Sequence, residues 1–145
     1  MVTPNEPEAE ELVGHEFADD EDRAIGMREI IDVGAADALM TRPSGCLALL
    51  HTGAASDRTL FSAQIEPGVV ETRSTVGSGD AFLAGLVAAR YSGREPEDCV
   101  RFAVACGAES VQHFGAGVLD AREVDRLLHD VRVERLSEPA LSAGS

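Results

Sequence analysis

Hydrophobic residues recur at two different spacings along the chain, one typical of helices and one typical of strands. Apolar positions three or four residues apart alternate with short apolar runs that are bounded by Gly, Pro or Ser. The pattern predicts strands at 1–3, 38–41, 46–50 and 59–65, a further segment at 69–75, and helices at 5–14, 19–34, 81–91, 97–113 and 121–130. Because helices and strands alternate, the sequence predicts an α/β fold with helices packed outside a sheet.

Capping residues mark the ends of several predicted helices. Asn5 can cap the first helix, with Glu8 three residues later completing a capping box, and Gly14 closes it. Pro96 begins the fourth helix and Asp120 can cap the last one. These signals place the helix ends more firmly than the apolar pattern does alone.

Length and charge restrict the domain organisation and the class of partner. The chain of 145 residues is 44% hydrophobic, so we expect one folded domain over 1–136 and a disordered tail over 137–145. The net charge of −14 argues against binding to nucleic acid or to a membrane surface, since both are polyanions. The chain has no Lys, so phosphate binding would require backbone amides, Arg or a metal ion.

The cysteine pattern bears on redox compartment and on metal binding. Cys46, Cys99 and Cys106 are odd in number, form no C-x-x-C pair and give no zinc spacing with the histidines. No stretch of the sequence resembles a signal peptide or a membrane span. We therefore expect a reduced, cytoplasmic protein.

A glycine-rich turn before the third predicted helix carries the strongest chemical signal. It reads S-T-V-G-S-G-D over Ser74–Asp80, so a strand end leads through glycines into a helix N-terminus. Such a turn exposes unpaired backbone N–H groups at the positive end of the helix dipole, where an anion can bind. Gly77 and Gly79 allow a phosphate to come close. Asp80 could accept a proton from a hydroxyl that attacks that phosphate, or it could be an ordinary helix cap.

Together with three other blocks, this run resembles the pfkB, or ribokinase-like, family of carbohydrate kinases. Ser74–Asp80 matches the family signature [D/S]-T-x-G-[A/S]-G-D, and Thr3–Glu8 matches K-P-N-x-x-E with Thr in place of Lys. Thr41–Gly45 lies where the family has S-L-G-x-x-G, and Ala105–Gly117 matches the closing A-x-G-A…G-A stretch. The resemblance spans nearly the entire chain and is nearest the 1-phosphofructokinase branch.

The resemblance implies a ribokinase-like three-layer α/β/α fold, present here as its C-terminal portion, and ATP-dependent phosphorylation of a sugar phosphate. It implies that Asp80 is the catalytic base. It also implies that the backbone amides of Gly77, Ser78 and Gly79 form the anion hole for the transferred group. ATP and Mg²⁺ would be the cofactors.

Further residues are implied to contact the nucleotide. Thr41 and Gly45 would lie along the phosphates, together with Gly79, while Cys106 and Gly107 would border the adenine. The Thr41–Gly45 block lacks the first glycine of the family pattern and is a residue shorter. Arg42, the second residue of this block, could replace the missing phosphate contact by its charge, or it could be an ordinary exposed loop arginine.

Two interpretations of Asn5 and Glu8 stay open. The resemblance implies that they help to place Mg²⁺ through water, since Mg²⁺ tends to keep its water ligands. Their spacing is also that of a capping box, which needs no metal.

The family's sugar-binding half is not in this sequence, so we expect a truncated kinase. The alternatives are a catalytically inactive fragment that binds a nucleotide or another protein, and a pfkB kinase for another sugar or a nucleoside. The expected partners are ATP and a sugar phosphate. The chain could also form a homo-oligomer. The resemblance implies that acceptor choice is made mostly by residues of the sugar-binding half.

Overall fold

The computed structural model describes residues 1–42, 44–51, 58–66, 68, 78–112 and 120–136. The helices are α1 (Glu6–Val13), α2 (Asp20–Asp32), α3 (Ser78–Tyr91), α4 (Pro96–Ser110) and α5 (Ala121–Leu128). The strands are β1 (Ala38–Arg42), β2 (Gly45–His51), β3 (Arg58–Ile65) and β4 (Val131–Leu136). They are hydrogen bonded in the order β1-β2-β3-β4. Helices and a sheet occur in one chain, so the predicted α/β class is confirmed.

The chain divides into two compact units. The first consists of Met1–Arg42, Cys46–Ser62 and Glu134–Ser145. The second consists of Pro43–Gly45 and Ala63–Val133.

Helix α1 of the first unit begins with the predicted capping box. Asn5 has extended backbone angles, and its side-chain Oδ1 accepts a hydrogen bond from the Glu8 amide at 2.9 Å. In return, Glu8 Oε1 accepts one from the Asn5 amide at 3.0 Å. Gly14 closes the helix with φ of 82°, a left-handed conformation that glycine adopts without strain. Both predicted ends of this helix are confirmed.

An ion-pair network joins α1, α2 and β1. Arg23 Nε lies 2.8 Å from Glu6 Oε1, and Arg23 Nη1 lies 2.8 Å from Asp20 Oδ1. Arg42 Nη2 reaches the same Asp20 oxygen at 2.8 Å. Asp19 caps α2 with its side chain, so the acidic start of this helix serves both capping and pairing.

The core of the first unit lies between the two helices and the strands. Its buried members are Ala9, Phe17, Ala24, Met27, Ile30, Ile31, Ala38, Met40, Leu47, Leu49 and Leu60. Gly26 on α2 lies directly beneath the Phe17 ring, and a Cβ at Gly26 would overlap the ring edge. Glycine at this position therefore lets the aromatic ring pack on the helix.

The N-terminal segment runs parallel to β1. Isolated bridges join Val2 to Ala38 and Asn5 to Thr41. The Val2 amide donates to the carbonyl of Asp37, the residue before β1, at 3.0 Å. The predicted strand end at the start of the chain is thus a short extended stretch beside β1.

In the second unit, α3 packs along α4 and α4 contacts α5. Phe82 and Leu86 of α3 are buried, and Gly85 allows Cys106 of α4 to come close. A Cβ at Gly85 would lie 2.8 Å from the Cys106 Sγ atom. Asp120 caps α5 as predicted, accepting from the Arg122 amide at 3.0 Å. The absence of a side chain at Gly85 of α3 therefore permits the close spacing of α3 and α4.

Several predicted boundaries need correction. Helix α3 begins at Ser78, three residues earlier than predicted, while α4 ends at Ser110 and α5 at Leu128. Strand β4 was not predicted, although Val131 and Val133 alternate with arginine and glutamate in the period of a strand. The predicted segment 69–75 and the tail 137–145 lie outside the described residues. Within the ranges given above, no helix has the length and apolar character needed to span a membrane.

Replacing Gly45 by Ala should destabilise the fold by about 3 kcal/mol, because the start of β2 has no room for a side chain. A Cβ there would overlap the carbonyl oxygen of Ala63 and lie 2.7 Å from the Gln64 Cα atom, both of which are backbone atoms. The measurement is the midpoint of urea denaturation, which should fall clearly below that of the wild type.

Gly79→Ala is the matched control, since a Cβ at Gly79 would meet no residue of the described ranges within 4 Å. Its midpoint should equal or exceed that of the wild type, because alanine favours a helix more than glycine does. Equal midpoints for Gly45→Ala and the wild type would contradict this account of Gly45.

Candidate functional site

The N-terminus of α3 presents the end of the glycine-rich turn to solvent. Ser78 is the first helical residue, and Asp80 is the acidic residue of the first turn. Both Gly79 and Asp80 are exposed. The first N–H groups of a helix have no acceptor within the helix, and the dipole there favours negative charge. The predicted anion hole is represented by the Ser78 backbone and Gly79, whereas Gly77 and the Ser78 side chain lie outside the described residues.

Gly79 is not confined by the described part of the chain. A Cβ atom at this position would meet no described residue within 4 Å, and the backbone of Gly79 does not have positive φ. Neither conformation nor packing against the described residues therefore requires glycine here.

Cys106, which was predicted at the adenine, lies in the contact between α4 and α3. It is 2% exposed and faces Gly85 of α3, which follows Asp80 by about 8 Å along the helix axis. Burial raises the pKa of the Cys106 thiol to about 11, so the thiol is neutral at physiological pH. The next residue, Gly107, is only partly buried. On α4, Gly107 is thus more accessible than Cys106.

In the first unit, the structure brings Asn5, Glu8 and Thr41 together. The Thr41 amide donates to the carbonyl of Pro4 at 3.0 Å, and Thr41 forms a parallel bridge with Asn5. Asn5 and Glu8 are exposed, and one oxygen of each is used in the capping box. These three residues were predicted separately from two different sequence blocks, and pairing between the N-terminal segment and β1 places them side by side.

A cleft of about 510 Å³ opens beside Glu8. It is lined by Val2, Thr3, Pro4, Glu8, Glu11 and Leu12. Two carboxylates therefore face a partly apolar space. Oxygen donors of this kind suit Mg²⁺, which binds through few protein ligands and keeps several waters. Among the described residues, no three His, Cys, Asp or Glu side chains are grouped closely enough to hold a metal by themselves.

Arg42 is the last residue of β1 and not an exposed loop residue. Its Nη2 atom pairs with Asp20 at 2.8 Å, and its Nε atom is buried with no hydrogen-bond partner in the described part of the chain. The ion pair with α2 accounts for an arginine at this position. Sequence reasoning missed this pairing because the two residues are 22 positions apart and no local pattern links them.

Gly45, predicted along the nucleotide phosphates, is required by packing. The carbonyl of Ala63 occupies the space of a Cβ, and the Ile65 amide donates to the carbonyl of Ser44 at 2.8 Å. The absence of a side chain at Gly45 is therefore explained without any ligand. The predicted residues that remain exposed in the second unit are Gly79 and Asp80.

Comparison with known proteins identifies the family of the chain. Residues 1–122 match the family described as pfkB family carbohydrate kinase. The chain is 29% identical over 117 residues to the ATP-dependent 6-phosphofructokinase isozyme 2 of Escherichia coli, covering 79% of this chain and 35% of that protein. It is also 29% identical over 143 residues to the 1-phosphofructokinase of Haemophilus influenzae, covering 92% of this chain and 41% of that protein.

A solved structure shows the same similarity in three dimensions. The structure of Arabidopsis thaliana ribokinase complexed with ribose and ATP matches with a TM-score of 0.74 at 28% identity, covering 87% of this chain and 39% of that chain. The fold is therefore ribokinase-like. The chain spans 35% and 41% of the length of the two curated relatives named above. On the match over residues 1–122, the chain belongs to the pfkB family of carbohydrate kinases.

Proposed function

We propose that this chain supplies the ATP-binding and catalytic residues of a kinase that phosphorylates a hydroxyl of a sugar phosphate. The observation that carries the proposal is the exposed carboxylate of Asp80 in the first turn of α3, next to the open backbone of Gly79. The carboxylate of Asp80 repels a phosphate bound at this helix N-terminus, so a role in the reaction would account for an acid here. Asp80 would have such a role as the general base beside the transferring phosphoryl group.

In the proposed reaction, Asp80 accepts the proton of the acceptor hydroxyl. The hydroxyl oxygen then forms a bond to the γ-phosphorus of ATP as the bond between that phosphorus and the bridging oxygen breaks, which releases ADP. Negative charge spreads over the oxygens of the transferred group, and the backbone N–H groups of Gly77, Ser78 and Gly79 stabilise it. Gly79 and Asp80 in the first turn of α3 are both exposed, as this reaction requires.

The nucleotide would contact residues from two of the sequence blocks that resemble the family, Thr41–Gly45 and Ala105–Gly117. Thr41 and Gly45 would lie along its phosphates, and Gly107 would border the adenine. Cys106 would support that wall from behind, since it is buried against α3. The small side chains of α4 suit an aromatic base, which needs a close and apolar surface.

Asn5 and Glu8 would hold Mg²⁺ through water ligands. When bound, Mg²⁺ would neutralise charge on the phosphates of ATP. The capping box fixes one oxygen of each side chain, so the orientation of the Glu8 carboxylate is set before any ligand binds. The cleft of about 510 Å³ beside Glu8 provides the space for a hydrated ion.

Fructose 1-phosphate is the acceptor that we propose first. The run S-T-V-G-S-G-D together with P-N-x-x-E is nearest the 1-phosphofructokinase branch, and one relative is a 1-phosphofructokinase. Fructose 6-phosphate and ribose are the alternatives, because other relatives are a 6-phosphofructokinase isozyme and a ribokinase. An acceptor panel of these three compounds separates the possibilities.

The second candidate function is nucleotide binding without phosphoryl transfer. The chain spans only 35% of the E. coli 6-phosphofructokinase isozyme and 41% of the H. influenzae 1-phosphofructokinase. Acceptor-binding residues supplied by the remainder of such proteins would then be needed for turnover. Measuring nucleotide binding and transfer separately distinguishes the two candidates.

Asp80→Asn should leave Mg·ATP binding within about twofold of wild type and should lower phosphoryl transfer by about 100-fold or more. Asparagine preserves the size of the side chain but cannot accept the proton. Binding is measured by calorimetry with a non-hydrolysable ATP analogue, and transfer by ADP release with each of the three acceptors. Asp125→Asn, at an exposed acid of α5, is the control and should match the wild type in both assays.

Transfer by Asp80→Asn at the wild-type rate would show that Asp80 is not the base. Binding of Mg·ATP by the wild type without ADP release for any acceptor would favour the second candidate. Absence of binding would overturn both candidates.

Glu8→Gln separates the capping role of Glu8 from its proposed metal role. Glutamine retains the capping box, so the urea midpoint should not change. The loss of its charge should weaken ATP binding about tenfold when Mg²⁺ is present and leave binding without Mg²⁺ unchanged. Calorimetry with and without Mg²⁺ measures both quantities.

Glu11→Gln is the matched control because Glu11 lines the same cleft. It should reduce Mg²⁺-dependent binding less than Glu8→Gln does. If the two substitutions weakened Mg²⁺-dependent ATP binding equally, Glu8 would have no specific metal role, and only its role in capping α1 would stand.

A further inference from the structure

Residues 15–18, in the connection between α1 and α2, lie along one face of α2, and we call them the strap. The strap contacts Asp22, Gly26 and Glu29 of that helix. These positions are four and three residues apart, so they line a single side of α2. The strap is therefore held along its length by the helix that follows it.

Phe17 and Ala18 attach the strap to both helices. The Ala18 amide donates to Asp22 Oδ2 of α2 at 2.9 Å. The Phe17 ring packs on Gly26, where a Cβ would overlap it. The Phe17 amide donates to Glu10 Oε2 of α1 at 2.7 Å. The strap thus connects α1 to α2 by contacts as well as by the chain.

His15 forms the other end of the strap, and both of its ring nitrogens face acceptors. Nε2 lies 2.9 Å from Glu29 Oε1, and Nδ1 lies 3.3 Å from the carbonyl oxygen of Glu16. The ring is also perpendicular to that of Phe17, with centroids 5.6 Å apart. A neutral imidazole has one donor nitrogen and one acceptor nitrogen, so it can donate to only one of the two oxygens. The imidazolium donates to both.

The charges around His15 favour the imidazolium. Acids face the strap from both helices, with Glu29 and Asp22 on α2 and Glu10 on α1. Hydrogen bonds to Glu29 and to the Glu16 carbonyl raise the pKa of His15 above its ordinary value of 6.5, and the negative charges of Glu29 and Asp22 act in the same direction. The arginines of α2 form ion pairs with Glu6, Asp20 and Asp32.

We propose that the strap is pH-sensitive: the protonated ring of His15 fastens it to α2, and loss of the proton loosens it. A neutral ring would leave either the Glu29 carboxylate or the Glu16 carbonyl without its donor. Because the strap also carries the Phe17 bond to α1, its loosening would weaken the connection between the two helices. This device does not depend on the proposed function.

The direction of the pH dependence follows from the raised pKa. The folded state binds the proton more tightly than the unfolded state, so the contribution of the pair is fully present below the unfolded pKa of about 6.5. It is lost as the pH rises through the higher folded pKa. The side chains of His15 and Glu29 are 44% and 41% exposed, so the contribution is modest.

NMR titration of the imidazole nitrogens tests the protonation of His15. His15 should titrate at a higher pH in the wild type than in Glu29→Gln, which keeps the size of the side chain and removes its charge. Glu16→Gln is the matched control, because it removes the charge next to His15 and retains the backbone carbonyl that faces Nδ1. It should lower the titration midpoint less than Glu29→Gln does. Equal lowering in both variants would show a general effect of negative charge and overturn the proposal, as would no lowering in Glu29→Gln.

Hydrogen exchange tests whether the strap responds to this proton. The protection factors of the Phe17 and Ala18 amides should fall by about twofold to fivefold as the pH rises through the His15 titration. In His15→Gln, which has no titrating ring at this position, they should stay constant over the same range. His129→Gln replaces an exposed histidine outside the strap and should show the wild-type fall. Constant protection in the wild type, or an equal fall in His15→Gln, would overturn the proposal.

Discussion

The close approach of α3 to α4 determines which residues of the second unit meet solvent. Cys106 packs so tightly on Gly85 that a Cβ at Gly85 would lie 2.8 Å from its sulfur. This contact fixes the rotation of α3 about its axis, with Phe82 turned inward and Asp80 outward. A residue larger than glycine at this point would push the helices apart or rotate them. The exposure of the proposed base thus depends on a packing contact about 8 Å away along the helix.

Asn5 and Glu8 show that one sequence pattern can encode both a helix start and a candidate ligand set. The capping box is complete without a ligand, so stability alone explains the two residues. The same hydrogen bonds hold the Glu8 carboxylate in one orientation at the edge of a cleft. A side chain that is already ordered loses less conformational freedom when it binds an ion. Capping and metal binding are therefore compatible roles for this pair.

Local signals in the sequence predicted the family and the starts of α1 and α5, whereas contacts between distant residues were not predictable. Asn5 and Asp120 cap helices as expected because a cap needs only a few neighbouring residues. The pairing of Arg42 with Asp20 and the place of β4 in the sheet depend on residues far apart in the chain, for which a single sequence gives no direct signal. In the candidate site, likewise, the close contact of Gly45 with the Ala63 carbonyl could not be foreseen from the sequence.

Two glycines of the family pattern illustrate why neighbours decide the meaning of a residue. Gly45 is confined by the backbone of Ala63, so any side chain there would disrupt the start of β2. A Cβ at Gly79 would meet nothing within 4 Å among the described residues, and the backbone conformation there is open to other residues. Packing against the described residues therefore accounts for the first glycine but not for the second. The phosphate contact that we propose for the Gly79 backbone would give glycine a role at this position.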